Sequence, residues 1–565
     1  MSLFGALRLG SNALQANQIA MQVVGQNIAN SNTPGYIREE TVLMPAPAVR
    51  MGNLVLGLGV RVDAVVQKID RFLEERLRGA VSEQISTETQ ESAYSQLEQL
   101  VGEFTDTDIS TAMTRFFNSI SEVLNQPENV SARNLAVLNA RTLTQRINAL
   151  AREVNQLRSD LNQRVWGVAD EINRLSGEIR DLNVQIVEIE ASAVSNSEAV
   201  GLRDQRQVAL EKLAKLLDIR VREQDAGGVT VYAGGDFLVS EGIQHQVAVS
   251  VSGDRGLAAA SLRFVDSDAA VTPSGGELHG LTVARDQILG GFLDRLDDFA
   301  ATLAFEFNKV FSSGQGLHGY TTATSEAFGI AANKPLDQAG LLFAPVNGSF
   351  QVLLHDTKSR TTRTVDVQVH LLGDGQDTTL EDVVEALNRT GAISAQITAD
   401  GRLSLVSPSA TEQFAFANDT SGVLAALGIN TLFTGSTALD LGIHPAIASD
   451  PAKFAASRGG IGVDTRNAVM LAQFTDRPIA SHNGESITTI YDRLVAETAQ
   501  GSTVTHAAAD SARAFEQTLR GQKLAISGVN VDEEAINMLA IQKAFQASAR
   551  YIGVVNQLLD TLLSI

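Results

Sequence analysis

The chain has 565 residues, 44% hydrophobic and 19% charged, which is length enough for three or four globular domains. Its formal net charge of −21 argues against nucleic acid and anionic membranes as partners, because phosphate binding needs clustered Lys and Arg. With no Cys there are no disulfides, no thiolate chemistry and none of the usual zinc sites. No basic segment followed by an apolar core marks a secretory signal at the N-terminus. No uncharged apolar run approaches the ~20 residues a membrane helix needs.

The first predicted element is a helix. Leu3, Leu7, Gly10, Leu14, Asn17, Met21, Val24 and Ile28 alternate in steps of four and three, and Arg8 is the only charge before Arg38. That is a heptad seam, the spacing at which a helix buries a stripe against another helix. The segment stops at Asn27-Ile-Ala-Asn-Ser-Asn-Thr-Pro-Gly-Tyr36, where Pro34-Gly35 reads as a turn. Thr41 to Val62 is extended and rich in Gly and Pro, and is expected to be a connector with no core. Asp70 to Phe104 reads as a helix with Tyr94, Leu97, Val101 and Phe104 on one stripe, and Ser110 to Leu124 as another.

A long apolar series follows: Leu143, Ile147, Leu150, Val154, Leu157, Leu161, Val165, Val168, Ile172, Leu175, Ile179, Leu182, Ile186 and Ile189. Its four-and-three steps are broken by one four–four step at Leu161, a stutter. As one helix it would span about 70 Å at 1.5 Å per residue. We read it as a mechanical strut packed on flanking helices of the same chain. Val200 to Asp218 is a further helix. Strand patterns occur at Gly228–Ala233, Phe237–Ser240, His245–Ser252 and Ser261–Val265. Leu289, Phe292, Leu296, Phe299, Leu303, Phe307 and Val310 return to helical spacing.

Leu317 to Ala448 is β-rich, with strands at Gln351–Leu354, Thr364–Leu371 and Arg402–Val406 and a short helix at Thr379–Asn388. Because this block is inserted between helical segments, it should be removable while the rest still folds. Helices resume at Val463–Gln473 and Ser486–Ala525. The last begins after Asp532-Glu-Glu534, acids suited to a helix N-terminus. Its seam is Met538, Ile541, Phe545, Ser548, Ile552, Val555, Leu559 and Leu562. Matching seams at the two extremes of the chain imply that the termini pair.

The expected fold is therefore α+β, elongated and multidomain. Paired terminal coiled-coil helices occupy 1–60 with 526–565. A long-helix rod domain with β-hairpins occupies 61–316 with 449–525. An inserted β-rich outer domain occupies 317–448.

Asn27-Ile-Ala-Asn30 with Thr33-Pro-Gly-Tyr36 resembles the N-terminal signature of the bacterial flagellar rod, hook and hook-associated axial protein family. Ser527-Gly-Val-Asn-Val-Asp-Glu-Glu534, followed by Ile541-Gln-Lys-Ala-Phe-Gln-Ala-Ser-Ala-Arg550, resembles its C-terminal signature. Leu202-Arg-Asp-Gln-Arg206, Asn418–Gly428 and Phe433-Thr-Gly-Ser436 are similar to the hook-associated members. The resemblance implies a structural subunit at the junction between hook and filament, with another axial protein of hook or rod type as the alternative and an exported enzyme as a remote one.

It also implies assembly through Leu3, Leu7, Leu14, Met21, Val24 and Ile28 at one end. At the other end the same role falls to Met538, Ile541, Phe545, Ile552, Val555, Leu559 and Leu562. Asn27, Ala29, Asn30, Thr33, Pro34, Gly35, Tyr36, Gly528 and Asn530 are the motif positions. Implied partners are the hook protein, a second junction protein, copies of itself and an export chaperone at the C-terminal helix. The implied location is the extracellular flagellum, reached from the cytoplasm through the flagellar type III export channel without a cleaved signal peptide.

No catalytic constellation is recognisable. Gly314-Gln-Gly-Leu-His-Gly319 fits G-x-G-x-x-G but follows a helix and opens none, so a loop is expected. The eight His are dispersed. Asp374-Gly-Gln-Asp377 is calcium-loop-like only superficially and reads as a turn. Asp297-Asp298 and Glu533-Glu534 read as solvated helix charges. No cofactor or metal is expected, and no enzyme.

Overall fold

The computed structural model describes residues 3–51, 54–102, 108–191, 197–327, 329–391 and 393–563. In chain order its elements begin with α1 (Leu3–Ala29), β1 (Glu39–Pro45), β2 (Val49–Met51), β3 (Leu54–Leu56), β4 (Val60–Gln67), α2 (Arg71–Val101), α3 (Ile109–Asn125), α4 (Val130–Glu190) and α5 (Val200–Leu216). Next come β5 (Ile219–Glu223), β6 (Val229–Ala233), β7 (Asp236–Ser240), β8 (Ile243–Gln244), β9 (Val247–Asp254), β10 (Leu257–Phe264), α6 (Gly276–Val283) and α7 (Gly290–Phe311). A π-helical stretch, Ala284–Leu289, joins the last two. The β-rich stretch holds β11 (Thr322–Thr324), β12 (Gly348–Asp356), β13 (Thr362–Val369), α8 (Leu380–Arg389), β14 (Ser394–Ile397), β15 (Leu403–Val406), β16 (Glu412–Ala417), α9 (Val423–Leu427), β17 (Phe433–Thr434) and β18 (Gly442–Ile443). Then follow α10 (Pro445–Ser449), α11 (Arg466–Ala472), α12 (Ile487–Ser527) and α13 (Val531–Leu563).

The helices carry their start signals in sequence. Asp108 caps α3, its carboxylate accepting from the Thr111 amide at 2.5 Å. Thr379 and Asp382 form a capping box on α8. The expected stripe residue Phe104 lies outside the described residues.

In α4 most of the expected apolar series is buried, from Leu143 to Ile186. Leu157 is only half-buried, and Arg158 takes the inward position instead, fully buried. The four–four step thus falls at Val154, two places before the expected break at Leu161. At the last turn Ile189 is exposed.

Residues 1–93, 159–285 and 503–565 form one compact unit, and 94–158 with 286–502 form a second. In the first unit, β1 and β4 pair antiparallel from Glu39↔Gln67 to Pro45↔Val60, with β2 and β3 as a second short pair. The expected connector is therefore paired structure. The alternation Glu39–Pro45 and Val60–Gln67 carries enough β-branched side chains to make a ladder that packs on α1. The terminal helix thus has a folded neighbour in sequence.

Strands β5-β6-β7-β8 form one antiparallel sheet and β9–β10 a hairpin. Three asparagines of α4 clamp these strands by their backbones. Asn173 Nδ2 donates to Val247 O at 2.8 Å, and its oxygen accepts from Val247 N at 2.9 Å. Asn183 does the same with Val229, at 2.8 and 3.1 Å. Asn162 reaches Ala258 O at 3.0 Å and Ala260 N at 2.7 Å. A side-chain amide carries a donor and an acceptor side by side, so it can satisfy an adjacent N–H and C=O together.

In the second unit, β13-β12-β16 and β11-β15-β14 enclose a hydrophobic cluster that includes Tyr320, Phe350, Phe414, Phe416 and Leu424. The β-rich block is not separate from the helices throughout. Phe433 on β17 lies 5.7 Å from Phe116 of α3 and 5.2 Å from Phe307 of α7, ring centre to ring centre. Asn308 clamps it with bonds to the Phe433 carbonyl and amide at 2.9 and 3.1 Å. Gly314, Gly316 and Gly319 lie in a loop, as expected. A Cβ at Gly314 would fall 2.2 Å from Asn467 Nδ2, so packing accounts for the glycine.

Candidate assembly site

Helices α1 and α13 run antiparallel against each other. Gly10 faces Ile552, Asn17 faces Ser548 and Asn27 faces Glu534. A Cβ on Gly10 would lie 2.7 Å from Ile552 Cγ1 and 3.1 Å from Tyr551 Cδ1, so the backbone of α1 comes close to bulky α13 side chains. The buried line of α1 accordingly consists mostly of small residues, Ala6, Gly10, Ala16 and Ala20, with Val23, Val24 and Asn27.

This shifts the expected register on α1. Val24 is buried, but Leu3, Leu7, Leu14, Met21 and Ile28 are half-buried flanks of the contact, because the bulk is supplied by α13. On α13 the expected spacing is reproduced: Val555 is buried and Met538, Ile541, Phe545, Ile552 and Leu559 are half-buried. Leu562 is 63% exposed. Ile536, Leu539, Val554 and Leu558, off the seam, are also each more than half exposed, as is Phe4 on α1.

At the other end of the pair sits a buried polar lock. Asn27, 1% exposed, donates to Glu39 O at 3.0 Å and to Glu534 Oε2 at 3.3 Å. Its oxygen accepts from Glu39 N at 3.0 Å and from the Tyr36 hydroxyl at 2.9 Å. Glu534, also 1% exposed, is neutralised by Arg38 at 2.6 Å, and Arg38 reaches Glu533 at 3.2 Å. The Arg38 amide donates to Ser527 O at 3.0 Å. Burial and the neighbouring carboxylates Glu39, Asp204 and Glu534 raise the Tyr36 hydroxyl well above its ordinary range. Burial raises Glu39 as well.

The motif residues take distinct parts. Gly35 has φ +82°, and a Cβ there would lie 2.3 Å from Val208 Cγ2, so only glycine serves. Thr33 closes the turn, its hydroxyl donating to Asn30 Oδ1 at 3.2 Å, while Asn30 Nδ2 donates to Gln26 O at 3.1 Å. Pro34 lies in that turn and Ala29 is an exposed last residue of α1. Gly528 ends α12, where a Cβ would meet Leu524 O at 2.3 Å. Asn530 caps α13, accepting from the Asp532 amide at 3.0 Å. Glu534 and Arg38 were not among the expected site residues, and of the Glu533-Glu534 pair expected to be solvated only Glu533 is, because Asn27 and Arg38 enclose Glu534. The signal was present for Glu534, which lies four residues before Met538 and so continues the seam inward.

Behind the lock, Leu202-Arg-Asp-Gln-Arg206 is a polar framework. Asp204 accepts from Gln67 Nε2 at 2.5 Å, and burial, reinforced by Glu39, pushes its carboxyl up to about 7. Arg203 makes two bonds of 2.7 Å to Glu190 and one of 2.8 Å to Glu223. Arg206 donates to Asn183 Oδ1 at 3.0 Å and Gly227 O at 2.7 Å.

Elsewhere, His370, Asp374 and Asp377 bring ligand-type atoms within 4.8 Å of one another. Their donors and acceptors are engaged as in a turn. Asp374 receives His370 Nε2 at 2.8 Å and the Gln376 amide at 3.0 Å, and Asp377 receives the Leu372 and Gly373 amides at 2.8 Å. Among the described residues, no helix is long and apolar enough to cross a membrane.

Comparison with known proteins points the same way as the motifs. Residues 94–328 match the family described as flagellar hook-associated protein FlgK helical domain. Residues 520–565 match the flagellar basal body rod FlgEFG protein C-terminal family, and 7–36 the flagella basal body rod protein family. Flagellar hook-associated protein 1 of Salmonella typhimurium is 23% identical over 98% of both chains, and that of Escherichia coli K12 is 23% identical over the same shares. The Bacillus subtilis protein of that name is 28% identical over 40% of this chain and 46% of its own. The solved structure of the flagellar hook junction protein FlgK from Burkholderia pseudomallei is similar in fold, with TM-score 0.50 and 19% identity, covering 80% of this chain and all of that one.

Proposed function

This chain belongs to the flagellar hook-associated protein 1 family, and from that premise we propose that it assembles through the α1–α13 pair. It is a structural subunit of the bacterial flagellum at the hook–filament junction. The observation that carries the assembly reading is the two-sided apolar character of α13. One side is spent on α1 around Gly10, while Ile536, Leu539, Val554 and Leu558 remain exposed off the seam. A helix with apolar residues on both sides is suited to burial between two partners.

We propose the hook protein, a second junction protein and further copies of this chain as the partners on that second side. An export chaperone would cover it before assembly. The extracellular location and export without a cleaved signal peptide belong to the same proposal. So does a three-part division of roles: residues 1–60 with 526–565 for axial packing, 61–316 with 449–525 as the load-bearing rod, and 317–448 as the outward part, anchored by Phe433.

The test is complementation of a strain lacking this protein with a Leu539→Asp, Leu558→Asp double variant. Both positions are exposed, so the purified variant should melt as wild type does. Electron microscopy should show hooks without filaments. Normal filaments on those hooks would refute assembly through this face.

A further inference from the structure

Away from the terminal helices, a cavity of about 310 Å³ in the first unit is lined by residues of β4, α2, α5, β5 and β6. Four arginines line it, Arg71, Arg78, Arg203 and Arg206, against two glutamates, Glu75 and Glu223. In a chain with 65 acidic and 44 basic residues, this is a local inversion of charge.

Three of the four arginines have protein partners. Arg71 pairs with Glu223 at 2.8 Å. Arg203 is held by Glu190 and Glu223, and Arg206 by Asn183 and the Gly227 carbonyl. Arg78 differs. It is 7% exposed, its Nε is buried without a hydrogen-bond partner, and among the described residues it makes no hydrogen bond or ion pair. Burial lowers its pKa, opposed by the more distant charges of Glu74, Glu75 and Glu211. Glu74 and Glu211 are already committed to Lys523.

A buried guanidinium whose N–H groups find no acceptor is costly, and the cost is reduced by an anion that accepts from it. The guanidinium fork matches the paired oxygens of a carboxylate or phosphate. We propose that this cavity binds a small oxyanion, a carboxylate or a phosphate, with Arg78 as its principal ligand and Arg71 at the rim. This site is independent of the assembly surface described above.

The full-length protein would be titrated by calorimetry with inorganic phosphate and, separately, with succinate, at ionic strength held constant with chloride. Saturable binding of one or both is expected, and the stronger ligand identifies the class. Arg78→Gln should weaken it at least about tenfold, since a charged hydrogen-bonding partner is lost. Arg71→Gln, at an exposed position, should weaken it severalfold and keeps the test decisive if the Arg78 variant does not fold. Absence of saturable binding to either anion, or unchanged affinity in a folded variant, would overturn the proposal.

Discussion

Asn27 holds both backbone groups of Glu39, donating to its carbonyl and accepting from its amide, each at 3.0 Å. The same amide reaches Glu534, 507 positions later in the chain. One side chain thus joins the end of α1, the start of β1 and the start of α13. Asn27→Ala would strand a buried amide, a carbonyl and part of the Glu534 carboxylate. Each unsatisfied group costs about 1–3 kcal/mol. We expect a marked fall in the urea midpoint of the unit containing the termini, followed by circular dichroism. A midpoint within error of wild type would show that water replaces the amide without loss.

Gly10→Leu tests the close approach of the terminal helices. In an isolated helix this change stabilises by about 1 kcal/mol. Here the new side chain meets Ile552, whose Cγ1 lies 2.7 Å from where a Cβ would be. The clash should win, parting α1 from α13. Limited proteolysis should then cleave both ends faster than in wild type, with the rest of the chain unaffected.

Asp204 makes the stability of the first unit depend on pH. Its carboxyl is raised from 3.8 to about 7 in the folded protein, chiefly by burial. The folded state therefore binds a proton that the unfolded state has released, so stability falls as pH rises through that interval. The contribution is full below about pH 4 and lost above about pH 7. Asp204→Asn keeps an acceptor for Gln67 and should flatten this part of the profile. A wild-type melting temperature that does not fall between pH 4 and 7 relative to Asp204→Asn would contradict it.

Asn173→Ala removes a two-point clamp on Val247. We expect a loss of about 1–3 kcal/mol, with faster amide exchange confined to the β9–β10 hairpin. Asn183→Ala should act in the same way on β6, additively where no partner is shared.

Phe433→Ala tests how far the β-rich block is joined to the helices. Its ring packs on Phe116 and Phe307, so truncation should cost about 3–5 kcal/mol and loosen α3 and α7. For the same reason, removal of residues 317–448 should weaken the helical part of the second unit, contrary to the expectation from sequence. Retention of a wild-type melt after removal would show that the contact is dispensable.

Periodicity is local, and what depends on it was legible from sequence alone. The spacing of α13 from Met538 to Leu559, the apolar series of α4 from Leu161 to Ile186, the cap of α8 and the turn at Pro34-Gly35 are settled by residues within a few positions of one another, whereas α4 itself begins at Val130, 13 residues before the expected series. Tertiary structure decided what depends on distant groups. The heptad count places Gly10 on the α1 seam, but only Ile552 and Tyr551 opposite show why a residue without a side chain stands there. Glu534 is buried because Asn27 and Arg38 arrive to satisfy it. The polar Asn162, Asn173 and Asn183 stand beside the apolar series of α4 because strand backbones need paired donors and acceptors there. Arg78 reads in sequence as an ordinary helical charge, and only the packing of α2 against α5 and its sheet leaves it buried without a partner.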